Sequence, residues 1–301
     1  MTPLSPDLMK SKNTILILGV TGMLGHTLFK ALSRDPALKV YGIARQNNAK
    51  ALFSKTLAKQ ILTNVDIDSD ASLLAVFKQI KPQIVINCVG LIKQISAAND
   101  VLKAIPINTL LPHRLAKLTK VINTRLILIS TDCVFSGRTG NYKEADTADC
   151  TDLYGRSKLL GEILDQNHVL TIRTSIIGHE LQGGHSLVSW FLKQKGSVTG
   201  YTQAIYSGLP TIELATIIHD LILPNPKLFG LYQIASKPIS KFDLLSLIAK
   251  TYQKKIVLTK VSSPEINRSL SYAKFKKQTG YKPKSWEALV QEMYTDYQKS
   301  Y

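Results

Sequence analysis

Residues 14–25 read TILILGVTGMLG, an apolar run that leads directly into three glycines, Gly19, Gly22 and Gly25. A strand that is covered on both faces of a sheet is continuously apolar, so residues 14–18 are predicted to form a central strand. The glycines permit a tight turn, a close approach of the backbone to a pyrophosphate, and close packing of the following helix. That helix would present free N–H groups to an anion. The stretch therefore predicts a dinucleotide-binding βαβ unit.

The same alternation of short apolar runs and helical patterns continues along the chain. Further strands are predicted at residues 39–44, 61–65, 83–89, 125–130, 169–173 and 231–235, and helices at residues 98–120, 152–166, 187–195 and 210–223. Strands that alternate with helices of this length form right-handed βαβ units and a parallel sheet. We predict an α/β fold, a doubly wound parallel Rossmann sheet with a smaller C-terminal substrate-binding lobe. The predicted domains are residues 12–178 and 209–236 for the NADP-binding Rossmann domain, and residues 179–208 and 237–301 for the lobe.

Composition restricts the class of protein. Hydrophobic residues make up 45% of the 301 residues and charged residues 20%, as in soluble globular proteins. We expect no membrane span, because the chain lacks a run of about 18 apolar residues, and no secretory signal within residues 1–13. The three scattered cysteines favour a reducing, cytoplasmic location without disulfides or structural zinc.

The net charge of +17 suits anionic ligands, but it is spread along the chain. The sequence contains no nucleic-acid-binding motif, so we expect no nucleic-acid partner. The six histidines lack the spacing of metal ligands, so we also expect no catalytic metal.

The end of the second predicted strand distinguishes the two nicotinamide cofactors. An acidic residue there would bind the ribose 2′-hydroxyl of NAD, whereas this chain carries Arg45. A guanidinium suits a 2′-phosphate by its charge and its forked donors. We therefore favour NADP(H) over NAD(H), the alternative being an ordinary surface arginine.

A candidate catalytic group follows the fifth predicted strand, which ends in Ser130 and Thr131. Tyr154 and Lys158 come about 20 residues later, one turn apart on the same face of a helix. The lysine ammonium is expected to lower the pKa of the tyrosine, which can then protonate a carbonyl oxygen that the Thr131 hydroxyl orients. The same spacing recurs at Tyr272 without a preceding strand end, and we interpret that copy as structural.

Taken together, several motifs resemble those of a known family across residues 13–235. They are Gly19-x-x-Gly22-x-x-Gly25, Asp66 after the third strand, Ser130-Thr-Asp-x-Val-Phe-x-Gly137, Tyr154-x-x-x-Lys158 and Arg173-Thr-Ser175. The chain resembles the extended short-chain dehydrogenase/reductases, and within them the dTDP-4-dehydrorhamnose reductase family. The resemblance implies NADPH-dependent reduction of the C4 ketone of a nucleotide-diphospho-4-keto-6-deoxy sugar, for deoxysugar and surface polysaccharide biosynthesis.

The resemblance also implies roles for individual residues. Thr131, Tyr154 and Lys158 would form the catalytic triad. The residues expected to bind the cofactor are Gly19, Thr21, Gly22, Met23, Leu24, Gly25, Arg45, Asp66, Ile67, Cys88, Val89, Gly90, Ser130 and Lys158. The residues expected to contact the substrate are Lys93, Asp132, Val134, Phe135, Trp190 and Arg268. Trp190 would either pack in the core or form a wall for the nucleotide base, and Arg268 would bind the diphosphate or remain solvated.

Two alternative functions stay open at this point. One is a sugar-nucleotide epimerase of the same superfamily that uses tightly held NAD. Its fucose-synthase branch needs a Cys and a His to epimerise the sugar, but we interpret Cys133 and His179 as a buried-type cysteine and a loop histidine. The other is a non-catalytic, NADP-binding regulatory subunit of methionine adenosyltransferase. Cys133 stands where related 4,6-dehydratases carry an acid, which argues against dehydration.

The resemblance further implies a possible homodimer, formed by pairing of the helices at residues 98–120 and 152–166.

Overall fold

The computed structural model describes residues 13–92 and 96–300. Its strands are β1 (Asn13–Leu18), β2 (Leu38–Ile43), β3 (Ile61–Leu62), β4 (Ile84–Asn87), β5 (Arg125–Ile129), β6 (Val169–Arg173), β7 (Ile176–Ile177), β8 (Ser197–Tyr201), β9 (Ala204–Tyr206), β10 (Leu209–Pro210), β11 (Gly230–Gln233), β12 (Ile239–Ser240), β13 (Val257–Val261) and β14 (Ile266–Asn267). Its α-helices are α1 (Met23–Leu32), α2 (Lys55–Ala58), α3 (Asp70–Ile80), α4 (Val101–Ala104), α5 (Leu111–Val121), α6 (Leu153–Leu160), α7 (Leu187–Lys193), α8 (Thr211–Ile217), α9 (Lys241–Thr251), α10 (Ala273–Thr279) and α11 (Trp286–Ser300).

A seven-stranded sheet forms the centre of the molecule. Its strand order is β11-β6-β5-β4-β1-β2-β3, and every neighbouring pair is parallel. The apolar run of β1 is central, and its residues Ile15, Leu16, Ile17 and Leu18 are fully buried. The predicted doubly wound parallel sheet is confirmed.

Helices cover both faces of this sheet, which explains why its strands are apolar on both sides. One face packs against α1, α8, α9 and α11, with Phe29, Leu214, Leu244 and Leu289 in a shared core. The opposite face packs against α3 and α5, with Phe77 and Leu115 in a second core.

The strand order creates a crevice beside β1. The chain runs from β1 outward through β2 and β3, and then crosses to β4 on the other side of β1. Ligands of open α/β sheets bind at such a switch point, outside the carboxyl ends of the strands. The loops that follow β1 and β4 therefore define where a cofactor would lie.

The structure shortens several predicted elements. The helix predicted at residues 152–166 ends at Leu160, with Gly161 as its C-cap. A Cβ atom on Gly161 would lie 2.1 Å from the carbonyl oxygen of Asn108, so a side chain is excluded there. The chain turns there, and Glu162 enters the interior. The helix predicted at residues 98–120 is interrupted by a π-helical segment at Ile105–Leu110, which contains Pro106.

The C-terminal half of the chain adds smaller sheets. β9 lies between β12 and β14, β8 pairs with β13, and β7 pairs with β10. These pairings join residues 197–206 to residues 239–267, although the two segments are separated by α8 and β11. Arg268 follows β14 directly and Lys241 begins α9, so both side chains are supplied by this part of the chain.

Candidate active site

The loop after β1 has the close approaches that its glycines were expected to allow. Gly19 has a φ of +81°, which favours glycine. A Cβ atom on Gly25 would lie 2.0 Å from the carbonyl oxygen of Gly19, so a side chain there would separate α1 from β1. The Gly22 N–H donates to the same carbonyl oxygen at 3.0 Å, and α1 begins at Met23 without an acidic residue in its first turn. The helix N-terminus therefore remains favourable for an anion.

The residues of this loop differ in exposure. Thr21 and Gly22 are exposed and Met23 is half-buried, so they present surface to the crevice. Leu24 and Gly25 are buried, and both lie in the first turn of α1. At the ends of the next two strands, Arg45 and Asp66 are exposed and Ile67 is half-buried.

The loop after β4 forms the opposite wall of the crevice. A Cβ atom on Gly19 would lie 3.0 Å from Cγ2 of Val89, and one on Gly90 would lie 3.8 Å from Nζ of Lys158. Cys88 is also here, and burial raises the pKa of its thiol to about 12. The Cys88–Val89–Gly90 segment thus runs from the glycine loop to α6.

Thr131 and Tyr154 meet at the carboxyl end of β5. The Thr131 side chain is hydrogen-bonded to Tyr154, and its Oγ1 also accepts from the Cys133 N–H at 3.1 Å. Asp152 caps α6 by accepting from the Gly155 N–H at 2.8 Å, which fixes the first turn that carries Tyr154. The strand end and the helix start therefore direct two hydroxyl groups to one point.

The pKa of the Tyr154 phenol is raised, chiefly by burial. The neighbouring Cys133 and Asp132 raise it further, while the hydrogen bond with Thr131 acts in the opposite direction. The expected lowering of this pKa by Lys158 is therefore wrong for the structure as described. Tyr154 is a neutral phenol near pH 7, and it holds a proton that it can donate.

Lys158 is directed at the strand rather than at solvent. Its Nζ donates to the carbonyl oxygen of Ile129 at 2.7 Å. Burial lowers the pKa of the ammonium to about 8, and the carboxylate of Glu162 acts against this lowering.

The buried carboxylate of Glu162 holds the end of β5, next to Thr131. Glu162 accepts from Ser130 Oγ at 2.6 Å, and it forms a bidentate pair with Arg173 at 2.8 and 2.7 Å. The side chains of Glu162 and Arg173 are almost fully buried. Ser130, for which a cofactor contact is predicted, ties the end of β5 to Glu162. Sequence reasoning missed Glu162, although its position four residues after Lys158 on a helical pattern was an available signal.

The proposed substrate side contains two cations around one carboxylate. Asp132 is buried, and its pKa is raised by that burial, while Arg268 and Lys241 act to lower it. Arg268 is anchored by a hydrogen bond from its Nε to the carbonyl oxygen of Phe135 at 2.8 Å. Lys241 was not predicted from the sequence, because no local motif marks it.

Val134 and Phe135 are fully buried, in a small core with Tyr142, Ala235 and Leu270. This burial argues against the expected contact of their side chains with substrate. Phe135 acts instead through its backbone, which holds Arg268.

The remaining residues singled out in the sequence differ in exposure and in surroundings. Trp190 is 38% exposed on α7, so it is not a core residue. Lys93 lies outside the described residues. His179 stacks on Tyr297 at 4.1 Å between ring centroids, and its Nε2 lies 2.8 Å from the Tyr252 hydroxyl.

Within residues 13–92 and 96–300, no three His, Cys, Asp or Glu side chains are grouped so that they could hold a metal ion. No helix in that part of the chain has the length and apolar character needed to span a bilayer.

Comparisons with known proteins agree with this geometry. A family described as the RmlD substrate binding domain matches residues 13–299. The dTDP-4-dehydrorhamnose reductase of Aggregatibacter actinomycetemcomitans is 22% identical over 306 residues, covering 93% of this chain and 97% of that protein. The crystal structure of dTDP-4-dehydrorhamnose reductase from Bacillus anthracis, in complex with NADP, superposes with a TM-score of 0.77 at 22% identity, covering 95% of this chain and 99% of that one.

A second type of relative is similar over only part of its length. Methionine adenosyltransferase 2 subunit beta of Bos taurus is 30% identical over 158 residues, which cover 51% of this chain and 43% of that protein. The family match, by contrast, extends over nearly all of the described residues. The chain therefore belongs to the RmlD substrate-binding domain family.

Proposed function

We propose that the chain is an NADPH-dependent reductase of the C4 ketone of a nucleotide-diphospho-4-keto-6-deoxy sugar. The observation that carries this proposal is the contact of Thr131 with Tyr154 at the end of β5. Lys158, on the same helix as Tyr154, is bonded to the carbonyl oxygen of Ile129 and faces Gly90 in the wall of the crevice. The similarity to a dTDP-4-dehydrorhamnose reductase over nearly the whole of both chains supports the same reaction. A role in deoxysugar and surface polysaccharide biosynthesis in the cytoplasm follows from this proposal.

The crevice fits a nicotinamide dinucleotide, which supplies a hydride when bound. The glycine loop and the N-terminus of α1 would hold its pyrophosphate. Asp66 and Ile67 would contact the adenine, and Lys158 the nicotinamide ribose. Because Arg45 is exposed at the end of β2, it is available to a 2′-phosphate, and we therefore favour NADP(H) over NAD(H).

The side chains of this site have complementary tasks in the proposed reaction. Thr131 donates a hydrogen bond that orients the substrate carbonyl oxygen. Tyr154, which is protonated at neutral pH, transfers its proton to that oxygen as negative charge develops there. Lys158 supplies positive charge at the end of β5, where it would meet the nicotinamide ribose.

The remaining substrate residues are proposals of the same kind. Asp132 and Arg268 lie at the reacting end of the site, whereas Trp190 offers an exposed ring to the nucleotide base. We retain residues 179–208 and 237–301 as the sugar-nucleotide-binding lobe, and residues 12–178 and 209–236 as the NADP-binding domain. A homodimer formed through α4, α5 and α6 remains part of the proposal.

The regulatory-subunit alternative has one observation in its favour, the 30% identity to methionine adenosyltransferase 2 subunit beta. That similarity covers about half of this chain, whereas the similarity to the reductase covers 93% of it.

The epimerase alternative has less support, because His179 is packed between aromatic side chains and burial lowers its pKa to about 4. We therefore favour the reductase.

The proposal is tested by adding 4-keto-6-deoxy sugars linked to dTDP, UDP, GDP or CDP to the protein with NADPH. We expect NADPH oxidation with at least one of them and none without sugar. If the protein binds NADPH but oxidises it with none of the four sugars, the reductase proposal is overturned and the regulatory-subunit alternative is supported.

A further inference from the structure

His26 makes two contacts with the carbonyl oxygen of Gly22, in the glycine loop. Its backbone N–H donates to that oxygen at 3.0 Å, and its ring nitrogen Nδ1 lies 3.0 Å from the same oxygen. The side chain is 3% exposed, and burial lowers its pKa to about 4, so the ring is neutral near neutral pH. Because a carbonyl oxygen can only accept, Nδ1 carries the proton of this neutral ring and donates the second hydrogen bond.

Gly22 lacks the usual means of fixing the start of a helix. It is the N-cap of α1, where most helices have a side chain that accepts from the first turn, and a glycine has none. A glycine backbone also has more conformations available than that of any other residue, so its own sequence fixes the peptide orientation poorly. The second hydrogen bond, from the His26 ring, restricts this orientation.

The orientation of the Gly22 carbonyl group decides where the next N–H group points. The peptide bond between Gly22 and Met23 is planar and trans, so its C=O and N–H groups point in opposite directions. Met23 is the first residue of α1, and the N–H groups of a first turn have no partner within their helix. When the carbonyl oxygen is held along α1, the Met23 N–H points out of the helix, towards a bound pyrophosphate.

Residues from the C-terminal half of the chain pack behind the ring of His26. His179, which follows β7, lies close enough to His26 for the charge of one imidazole to lower the pKa of the other. His179 stacks on Tyr297 of α11 at 4.1 Å between ring centroids, and its Nε2 lies 2.8 Å from the hydroxyl of Tyr252, the C-cap of α9. Segments that are distant in sequence therefore confine the ring on the side away from the crevice.

We propose that His26 is a positioning residue for the cofactor, which holds the glycine loop in the conformation that binds a pyrophosphate. The inference rests on the proposed dinucleotide site and adds to it a residue that does not touch the cofactor. The 2′-phosphate is assigned to Arg45, at the end of β2, so a ligand with only that part of the cofactor should be insensitive to His26.

The test measures the affinity of three ligands by calorimetry. NADPH and 2′-phospho-ADP-ribose contain the pyrophosphate, whereas adenosine 2′-monophosphate does not. His26→Leu removes the ring donor at similar volume, and His26→Asn is the conservative variant, because Nδ2 of asparagine can take the place of Nδ1. His168→Leu is the matched control. Its Nε2 also lies 3.0 Å from a helix carbonyl oxygen, that of Ala116, but His168 precedes β6, at the end of the sheet away from the crevice.

We expect His26→Leu to weaken both pyrophosphate ligands by about three- to ten-fold, the usual effect of losing one hydrogen bond. The affinity for adenosine 2′-monophosphate should stay within about two-fold, because that ligand does not reach the glycine loop. His26→Asn should recover most of the loss, and His168→Leu should cause none.

The inference is overturned if His26→Leu binds NADPH within about two-fold of the unaltered protein. It is equally overturned if adenosine 2′-monophosphate is weakened as much as NADPH, since that pattern indicates a general loss of structure. Both outcomes are read from binding, whereas the reductase proposal is read from NADPH oxidation. A protein that shows the expected binding pattern but oxidises NADPH with no sugar supports this inference and overturns that proposal.

Discussion

Lys158 donates a hydrogen bond from Nζ to the carbonyl oxygen of Ile129 at 2.7 Å, and this contact joins α6 to the carboxyl end of β5. Ile129 is separated from Thr131 only by Ser130, so the lysine is fixed against the same strand end that carries the orienting hydroxyl. Ser130 is itself held by Glu162 at 2.6 Å. The strand end and the helix therefore position Thr131 and Tyr154 as one unit.

The charge of Lys158 predicts a pH dependence of cofactor binding. Burial lowers the pKa of the ammonium to about 8, so the protonated form predominates below that pH and is lost as the pH rises through it. We expect NADPH affinity, measured by fluorescence from pH 6 to pH 10, to fall above about pH 8. Glu162→Gln should move the midpoint to lower pH, because Glu162 raises the pKa of Lys158. An affinity that stays constant up to pH 9.5 would contradict this account.

The buried pair of Glu162 and Arg173 predicts a large effect on stability. Arg173→Met leaves a carboxylate without its partner in the interior, which costs about 3–5 kcal/mol. Arg114→Met is the matched control, because the pair of Arg114 with Asp70 is more exposed and contributes less than about 1 kcal/mol. Urea denaturation of both variants measures their free energies of unfolding. An equal loss of free energy in the two variants would contradict a larger contribution from the buried pair of Glu162 and Arg173.

Arg45 predicts the choice between the two cofactors. If its guanidinium binds the 2′-phosphate, Arg45→Ala should weaken NADPH binding by about ten- to a hundred-fold and NADH binding very little. Titration of each cofactor, followed by fluorescence, measures the two losses. Arg138→Ala is a control, because Arg138 is an exposed arginine in the loop after β5. Equal losses for NADPH and NADH would remove the basis for NADP preference.

Exposed apolar residues on α4 and α6 predict self-association. Leu102 is 84% exposed and Leu160 is 58% exposed, and such residues are common in interfaces between subunits. We expect a dimer in sedimentation at micromolar concentration, and a monomer for Leu102→Glu. Val257→Glu, on the exposed face of β13, should leave the dimer unchanged. A monomeric unaltered protein would refute the proposed helix pairing.

The sheet and the glycine loop were predictable because local sequence determines them. Fully buried strands must be apolar throughout, and the close approach of Gly25 to Gly19 excludes any side chain. The pairing of Thr131 with Tyr154 was predictable because a strand end with Thr131 is followed, about 20 residues later, by a helix that carries Tyr154 and Lys158 one turn apart.

The length of α6 was not predictable from periodicity alone. It ends at Leu160 with Gly161 as its C-cap, at a position where the backbone of Asn108, from a different segment, leaves no room for a side chain. Lys241 and Arg268 meet Asp132 only through the pairing of β8, β9, β12, β13 and β14, which no local pattern specifies. The raised pKa of Tyr154 likewise depends on burial by distant residues.

The central claim is that Tyr154 donates the proton to the substrate, and Tyr154→Phe tests it most directly. The substitution removes one hydroxyl group and leaves the glycine loop and Lys158 in place. With a nucleotide-linked 4-keto-6-deoxy sugar that the unaltered protein reduces, we predict a fall in turnover of about 10²- to 10⁴-fold, with NADPH affinity almost unchanged. Tyr272→Phe, in the structural copy of the motif, should keep full activity. Near-normal turnover by Tyr154→Phe would contradict the account, because the proton would then come from another group.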